Sequence, residues 1–147
     1  MTKDITMLAI AEFDKSTKFK RIKSKNDFII EMRREPLKKE ILIRVGRKFK
    51  FTNDQFALVA GVTTRTYQRL RPEEKISVNA SENTLRLAET YRNGMIAFDH
   101  DELSFQNWLN TNIPSLGHKK PIELITTGLG AETVNDELLR IEYSVVG

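Results

Sequence analysis

Between residues 63 and 71 the chain reads TTRTYQRLR, which sets two guanidinium groups, Arg65 and Arg69, beside one carboxamide, Gln68. A guanidinium fork can donate two parallel hydrogen bonds to the edge of a guanine, and a carboxamide can both donate to and accept from an adenine. Thr63, Thr64 and Arg71 flank them with the hydroxyl and cationic groups that hold a phosphate backbone. The chemistry open to this group is recognition of a DNA duplex, with Arg65, Gln68 and Arg69 on base edges and Thr63, Thr64 and Arg71 on phosphate or positioning the helix. Reactive chemistry is sparse elsewhere. The histidines are His100 and His118 and there is no cysteine, so no pattern supplies the three or four ligands of a zinc site. Gly128 and Gly130 in TTGLGAE lack the preceding strand and following Lys-Ser/Thr of a phosphate cradle, and are expected in a turn between helices. Asp99, Asp101 and Glu102 read as a solvated helix cap rather than an acid–base pair, and Trp108 as a core anchor. No enzymatic activity, metal or cofactor is expected.

The elements that must position Arg65, Gln68 and Arg69 are legible from their caps. Thr52 and Gln55 form a capping box, starting a helix at Asn53. Phe56, Ala57 and Ala60 follow at helical spacing, and Gly61 ends that helix in a left-handed position. Thr63 caps a second helix with Thr66, Tyr67 and Leu70 on one side and Arg65, Gln68 and Arg69 on the other, and the small Ala57 lets the two helices cross closely. This is the pattern of a helix-turn-helix. A solvated outer face on an ordinary helical hairpin has the same composition, so the spacing alone leaves both readings open.

Upstream, Phe28, Ile29, Met32, Leu37, Ile41 and Leu42 keep a helical period that Pro36 divides into two short helices, and the tract GRKFKF leads into the Thr52 cap. Downstream, a polar loop at 71–79 precedes a helix that Ser81 can cap, carrying Leu85, Leu87, Ala88, Tyr91, Met95 and Ile96, its last turn weakened by Gly94. A boundary at 99–101 is followed by a helix with Leu103, Phe105, Trp108 and Leu109. Pro121 opens a helix at 121–126 that Gly128 closes, and a last helix runs from about Ala131 with Val134, Leu138 and Ile141 inward. Nothing alternates as a strand does. The expected fold class is all-α: a partly ordered basic arm at 1–25, a helix-turn-helix bundle at 26–97, and a small helical domain at 98–147.

Charge is polarised along these 147 residues. Residues 1–50 hold 15 Lys/Arg against 7 Asp/Glu, residues 51–97 hold 6 against 5, and residues 98–147 hold 3 against 8. A basic front half can neutralise phosphates, whereas an acidic back half is repelled by the same duplex, so the two ends are expected to face different partners. The 39% apolar content suffices for a core, no apolar run reaches the length of a membrane span, and the lack of cysteine fits a reducing cytoplasm.

In the acidic half, W108-L109, N-I-P-S-L-G at 112–117, P-I-E-L-I-T-T-G-L-G-A at 121–131 and R-I-E-Y at 140–143 stand in order. This resembles the toxin-binding domain of Xre/MbcA/ParS-type antitoxins, and the resemblance extends upstream through R-T-Y-Q-R at 65–69, covering roughly residues 27–147. It implies an Xre-like helix-turn-helix followed by a module that binds a cognate toxin, commonly a RES-domain toxin that destroys NAD⁺. By the same resemblance Arg140, Glu142, Tyr143, Ser144, Val145, Val146 and Gly147 would contact the toxin and obstruct its active-site entrance. The implied protein is a cytoplasmic type II antitoxin that represses its own operon, as a homodimer or a toxin-bridged hetero-oligomer. Lys120 departs from the family pattern, which usually has Ser or Thr before the proline, and Ser144 stands where a glycine usually follows the Glu-Tyr pair. Two alternatives stay open: a stand-alone regulator whose C-terminal module dimerises, and an interaction protein whose helix-turn-helix no longer binds DNA.

Overall fold

The computed structural model describes residues 9–15 and 22–146, with side chains as far as Ser144. Lys18, Lys20 and Arg21 of the expected basic arm lie outside the described residues. Residues 9–11 are helical, and from residue 22 onward the described residues form eight α-helices in order: α1 (Lys25–Arg34), α2 (Lys39–Arg47), α3 (Asn53–Ala60), α4 (Thr64–Arg69), α5 (Val78–Ala97), α6 (Glu102–Leu109), α7 (Pro121–Leu124) and α8 (Gly128–Val146), with a 3₁₀ turn at Pro114–Leu116. Among the described residues there is no strand, only isolated bridges between Lys38 and Lys75 and between Ile113 and Lys119. The fold is all-α, a helix-turn-helix followed by a small helical module. No helix in these residues is long and apolar enough to cross a membrane.

Helix ends fall where local chemistry puts them, with two corrections. Pro36 separates α1 from α2, and Asp101 caps α6, its carboxylate accepting from the Ser104 hydroxyl at 2.7 Å and the Ser104 amide at 3.2 Å, contacts that hold it below its ordinary pKa, the hydroxyl most of all. The long helix α5, however, begins at Val78 rather than after Ser81, because Ser77 Oγ accepts from the Ala80 amide at 3.0 Å. Ser81 is fully buried instead, accepting from the Leu37 amide at 3.0 Å and donating to the Ser77 carbonyl at 2.9 Å. The amide of Leu37, just after Pro36, would otherwise be a buried orphan, so it claims the Ser81 hydroxyl.

The second correction is at α8. This helix starts at Gly128 rather than near Ala131, so Gly128 opens it instead of closing the helix before, and α7 ends at Leu124. Thr127 acts as the cap: its hydroxyl accepts from the Gly130 amide at 3.0 Å and its carbonyl from the Ala131 amide at 2.9 Å. Gly130 is required by proximity, since a Cβ there would lie 1.9 Å from the Leu124 carbonyl oxygen.

One core runs through both halves. Helix α5 lies at its centre, packed most extensively on α8 and also on α1, α2, α3 and α6, with Leu87 and Ala88 sealed between them. A relay of aromatic rings joins the halves from Tyr67 on α4 through Phe56, Phe51 and Phe49 to Phe105 and Trp108 on α6, each centroid 5.5–6.3 Å from the next. Gly94 does more than weaken a turn, because a Cβ there would meet the Phe105 ring at 2.1 Å. That ring is held by Phe49, Phe98 and Trp108, so it has nowhere to retreat. Replacing a mid-helix glycine by alanine ordinarily stabilises by up to about 1 kcal/mol. For Gly94→Ala the expected sign is reversed, a loss of about 1–3 kcal/mol from overpacking, read as a lower midpoint in a urea melt.

Candidate nucleic-acid interface and partner-binding helix

Helices α3 and α4 are fixed at every corner. At the start of α3 the Gln55 amide donates to Thr52 Oγ1 at 3.2 Å while the Thr52 amide donates to Gln55 Oε1 at 2.8 Å. Gly61 takes φ 72°, which only glycine adopts without strain, and turns the chain into α4, capped by Thr63 Oγ1 on the Thr66 amide at 3.1 Å. Thr64 donates its hydroxyl to Asp54 Oδ1 at 2.7 Å, strapping the two helix starts together. Tyr67 is buried and stacked on Phe56, centroids 5.5 Å apart and rings nearly parallel. Burial pushes its phenol up to about 12, with the Arg47 guanidinium acting in the opposite sense. Of the side chains expected to face inward, Tyr67 is buried and Leu70 half-buried, whereas Thr66 is exposed beside Thr63.

Arg65, Gln68 and Arg69 project together from the open side of α4, all exposed. Among the described residues neither arginine makes an ion pair, so both guanidinium forks are free to receive a ligand. Thr63 and Thr64 bound this face at its start, as cap and strap. Arg71 differs: its Nε lies 3.2 Å from Glu74 Oε1 and 3.4 Å from Glu73 Oε1, so it belongs to the loop leaving α4. Sequence reasoning passed over two further groups. Arg47, Lys48 and Lys50 are exposed and, among the described residues, make no ion pair, and they form one wall of a cleft shared with Tyr91, Met95 and Leu103. Their signal was present in the GRKFKF tract. Lys39 is buried beneath α4, and nothing in its sequence context distinguished it from a surface lysine.

The opposite end of the molecule is built on α8. Ala131, Val134 and Leu138 seal its inner face against α5, with Ile141 half-buried behind them, while Asn135 accepts from Asn93 at 3.1 Å and Glu132 pairs with Arg86. Its outer face carries Leu129, 77% exposed, and Tyr143, 70% exposed. Arg140 is held in a fork by Glu137, at 3.1 Å from Nε and 2.7 Å from Nη2, and Glu142 is half-buried. Ser144 does not break the helix: its hydroxyl donates to the Ile141 carbonyl at 2.9 Å, and the backbone stays helical to Val146. The side chains of Val145 and Val146, and Gly147 altogether, lie outside the described residues. At Lys120 no side chain caps α7; Pro121 at the first helical position removes one orphan donor, and the Lys120 carbonyl accepts from the Glu123 amide at 3.0 Å.

Two family models match the chain in this order. The antitoxin Xre-like helix-turn-helix domain covers residues 28–89, from α1 into α5. The antitoxin Xre/MbcA/ParS C-terminal toxin-binding domain covers residues 94–143, from the end of α5 to Tyr143. No curated protein matches the chain. Both matched domains are binding and regulatory modules, not enzymes, and between them they span most of the chain. It therefore belongs to the antitoxin family in which an Xre-like helix-turn-helix precedes an Xre/MbcA/ParS toxin-binding domain.

Proposed function

We propose that this chain is the antitoxin of a type II pair, neutralising a RES-type, NAD⁺-degrading toxin through α8 and its tail and repressing its own operon through α4. The observation that carries the reading is the pairing of two unlike exposed surfaces on one core: Arg65 and Arg69, without an ion pair among the described residues, with Gln68 on α4, and Tyr143 with Arg140 at the far end of α8. The first surface has the donors that base edges accept, and the second has residue types that anchor protein interfaces. On this reading residues 26–97 serve DNA and residues 98–147 serve the toxin, with Arg140, Glu142, Tyr143, Ser144, Val145, Val146 and Gly147 closing its active-site entrance. Thr63, Thr64 and Arg71 steady the DNA contact. A single short recognition helix gives limited specificity, so a homodimer or toxin-bridged assembly on a repeated or palindromic operator is expected, in the cytoplasm.

The test is expression of the chain with the product of its neighbouring reading frame. Co-purification, NAD⁺ consumption by the partner alone that stops when the chain is added, and a mobility shift with the operon's own upstream DNA are the expected results. A partner that neither binds nor consumes NAD⁺ overturns the toxin assignment. A chain that binds its partner but shifts no DNA leaves only the neutralising half standing.

A further inference from the structure

We infer that Lys39, at the start of α2, is a positioning residue that aims α4 at DNA without touching the DNA itself. The inference rests on the reading of α4 as the base-reading helix. Lys39 is 7% exposed, and its Nζ donates to the Tyr67 carbonyl at 2.7 Å and the Leu70 carbonyl at 2.8 Å while standing 4.1 Å above the Tyr67 ring. These carbonyls close the C-terminal end of α4. With six residues, α4 has an unusually large share of its backbone in unsatisfied ends, and its terminal carbonyls carry the negative pole of the helix. An ammonium there satisfies the Leu70 carbonyl, adds a second donor to the Tyr67 carbonyl, which already accepts from the Leu70 amide at 3.2 Å, and opposes that pole.

The grip is local and well anchored. The Lys39 amide donates to the Glu74 carbonyl at 2.8 Å and the Glu40 amide to the Pro72 carbonyl at 2.9 Å, so the start of α2 also holds the segment leaving α4. At the other end of α4 the Thr64–Asp54 hydrogen bond does the same. Arg65, Gln68 and Arg69 project between these two fixed points. An aliphatic side chain of similar volume would fill the Lys39 site without desolvating a charge, so what the ammonium adds is its hold on the two carbonyls. Burial lowers the Lys39 pKa, with Glu74 partly offsetting it. Side chains that read bases need their supporting backbone held to within about 0.5 Å, and Lys39 holds the end of α4 that the Thr63 cap and the Thr64 strap do not reach.

Lys39→Met keeps the aliphatic stem and removes the donors. Its affinity is measured for a duplex from the DNA immediately upstream of the chain's own gene and for a scrambled duplex of equal length and composition, well below the melting temperature. The expected result is about a ten-fold or larger loss on the upstream duplex and less than about two-fold on the scrambled one, because base contacts need aim and phosphate contacts do not. Lys39→Arg, which keeps the charge but displaces the donors, is expected to fall between the two proteins. If Lys39→Met does not fold, Lys39→Arg against wild type decides. A ratio of the two affinities that equals the wild-type ratio in a folded variant overturns the role of Lys39, since a residue that only stabilises the fold leaves that ratio untouched. A wild-type chain with no preference for its upstream DNA is a different outcome, removing the DNA reading and this inference with it.

Discussion

A chain ending at Ile141 is expected to fold normally and to lose its ability to neutralise the toxin. The inward residues of α8 that seal against α5, Val134 and Leu138, and the half-buried Ile141 are all retained. What is removed is the last turn, with half-buried Glu142, the 70% exposed Tyr143 and the exposed Ser144, and these contribute little to the core. An aromatic side chain left this open on a monomer is the type that becomes an interface anchor, and removal of one such anchor costs about 2 kcal/mol or more. Together with the remaining tail the expected loss is about 3 kcal/mol, on the order of a hundred-fold in Kd. Calorimetric titration of an inactive toxin with each chain measures it, and growth rescue on co-expression reports the consequence. An unchanged melting temperature is expected alongside. Equal affinity and full rescue by the shortened chain would place the toxin contact elsewhere, with the exposed Leu129 at the opposite end of α8 the next surface to examine.

How far the sequence revealed this arrangement depended on whether the deciding interaction was local. The Thr52–Gln55 box, Gly61 and the Thr63 cap each close within one helical turn, and all three are found as the spacing predicts. The Pro36 break and the inward set Val134, Leu138 and Ile141 follow from backbone chemistry and periodicity alone. Such signals need no knowledge of the rest of the fold.

The misreadings share the opposite cause. Ser81 has the composition of a cap, but its hydroxyl is taken by Leu37, a residue 44 positions away, and Ser77 starts α5 in its place. Gly94 and Gly130 look like helix breakers in sequence; in the fold they are contact points, one for the Phe105 ring and one for the Leu124 carbonyl. Lys39 looks like any surface lysine until α4 is folded over it. Arg71, expected on phosphate or positioning the helix, is a different case: its partners Glu73 and Glu74 are local, and the fold shows both within reach of its guanidinium. The candidate site was thus legible as a set of residue types, while the division of labour within it came from tertiary partners.

That division makes the double substitution Arg65→Ala with Arg69→Ala the sharpest test of the DNA surface. Both side chains are exposed and, among the described residues, neither makes an ion pair, so their removal should leave the melting temperature unchanged. Each well-formed bidentate contact with a base is worth about 1–3 kcal/mol, giving a combined loss of about 2–6 kcal/mol and an operator affinity lower by roughly 30-fold to 10⁴-fold. Salt dependence separates the two ways this can happen. If the arginines read bases, operator affinity falls toward that of a scrambled duplex while the slope of log K against log salt is kept. If they sit on phosphates, both duplexes weaken together and the slope becomes shallower by about one for each phosphate no longer neutralised. Arg71→Ala supplies the internal contrast, because an exposed arginine already shared between Glu73 and Glu74 has less to offer a phosphate, and its effect should be several-fold smaller. Operator affinity and salt slope both unchanged in the double variant would remove α4 from the interface and make Arg47, Lys48 and Lys50, which form no ion pair among the described residues, the next surface to test.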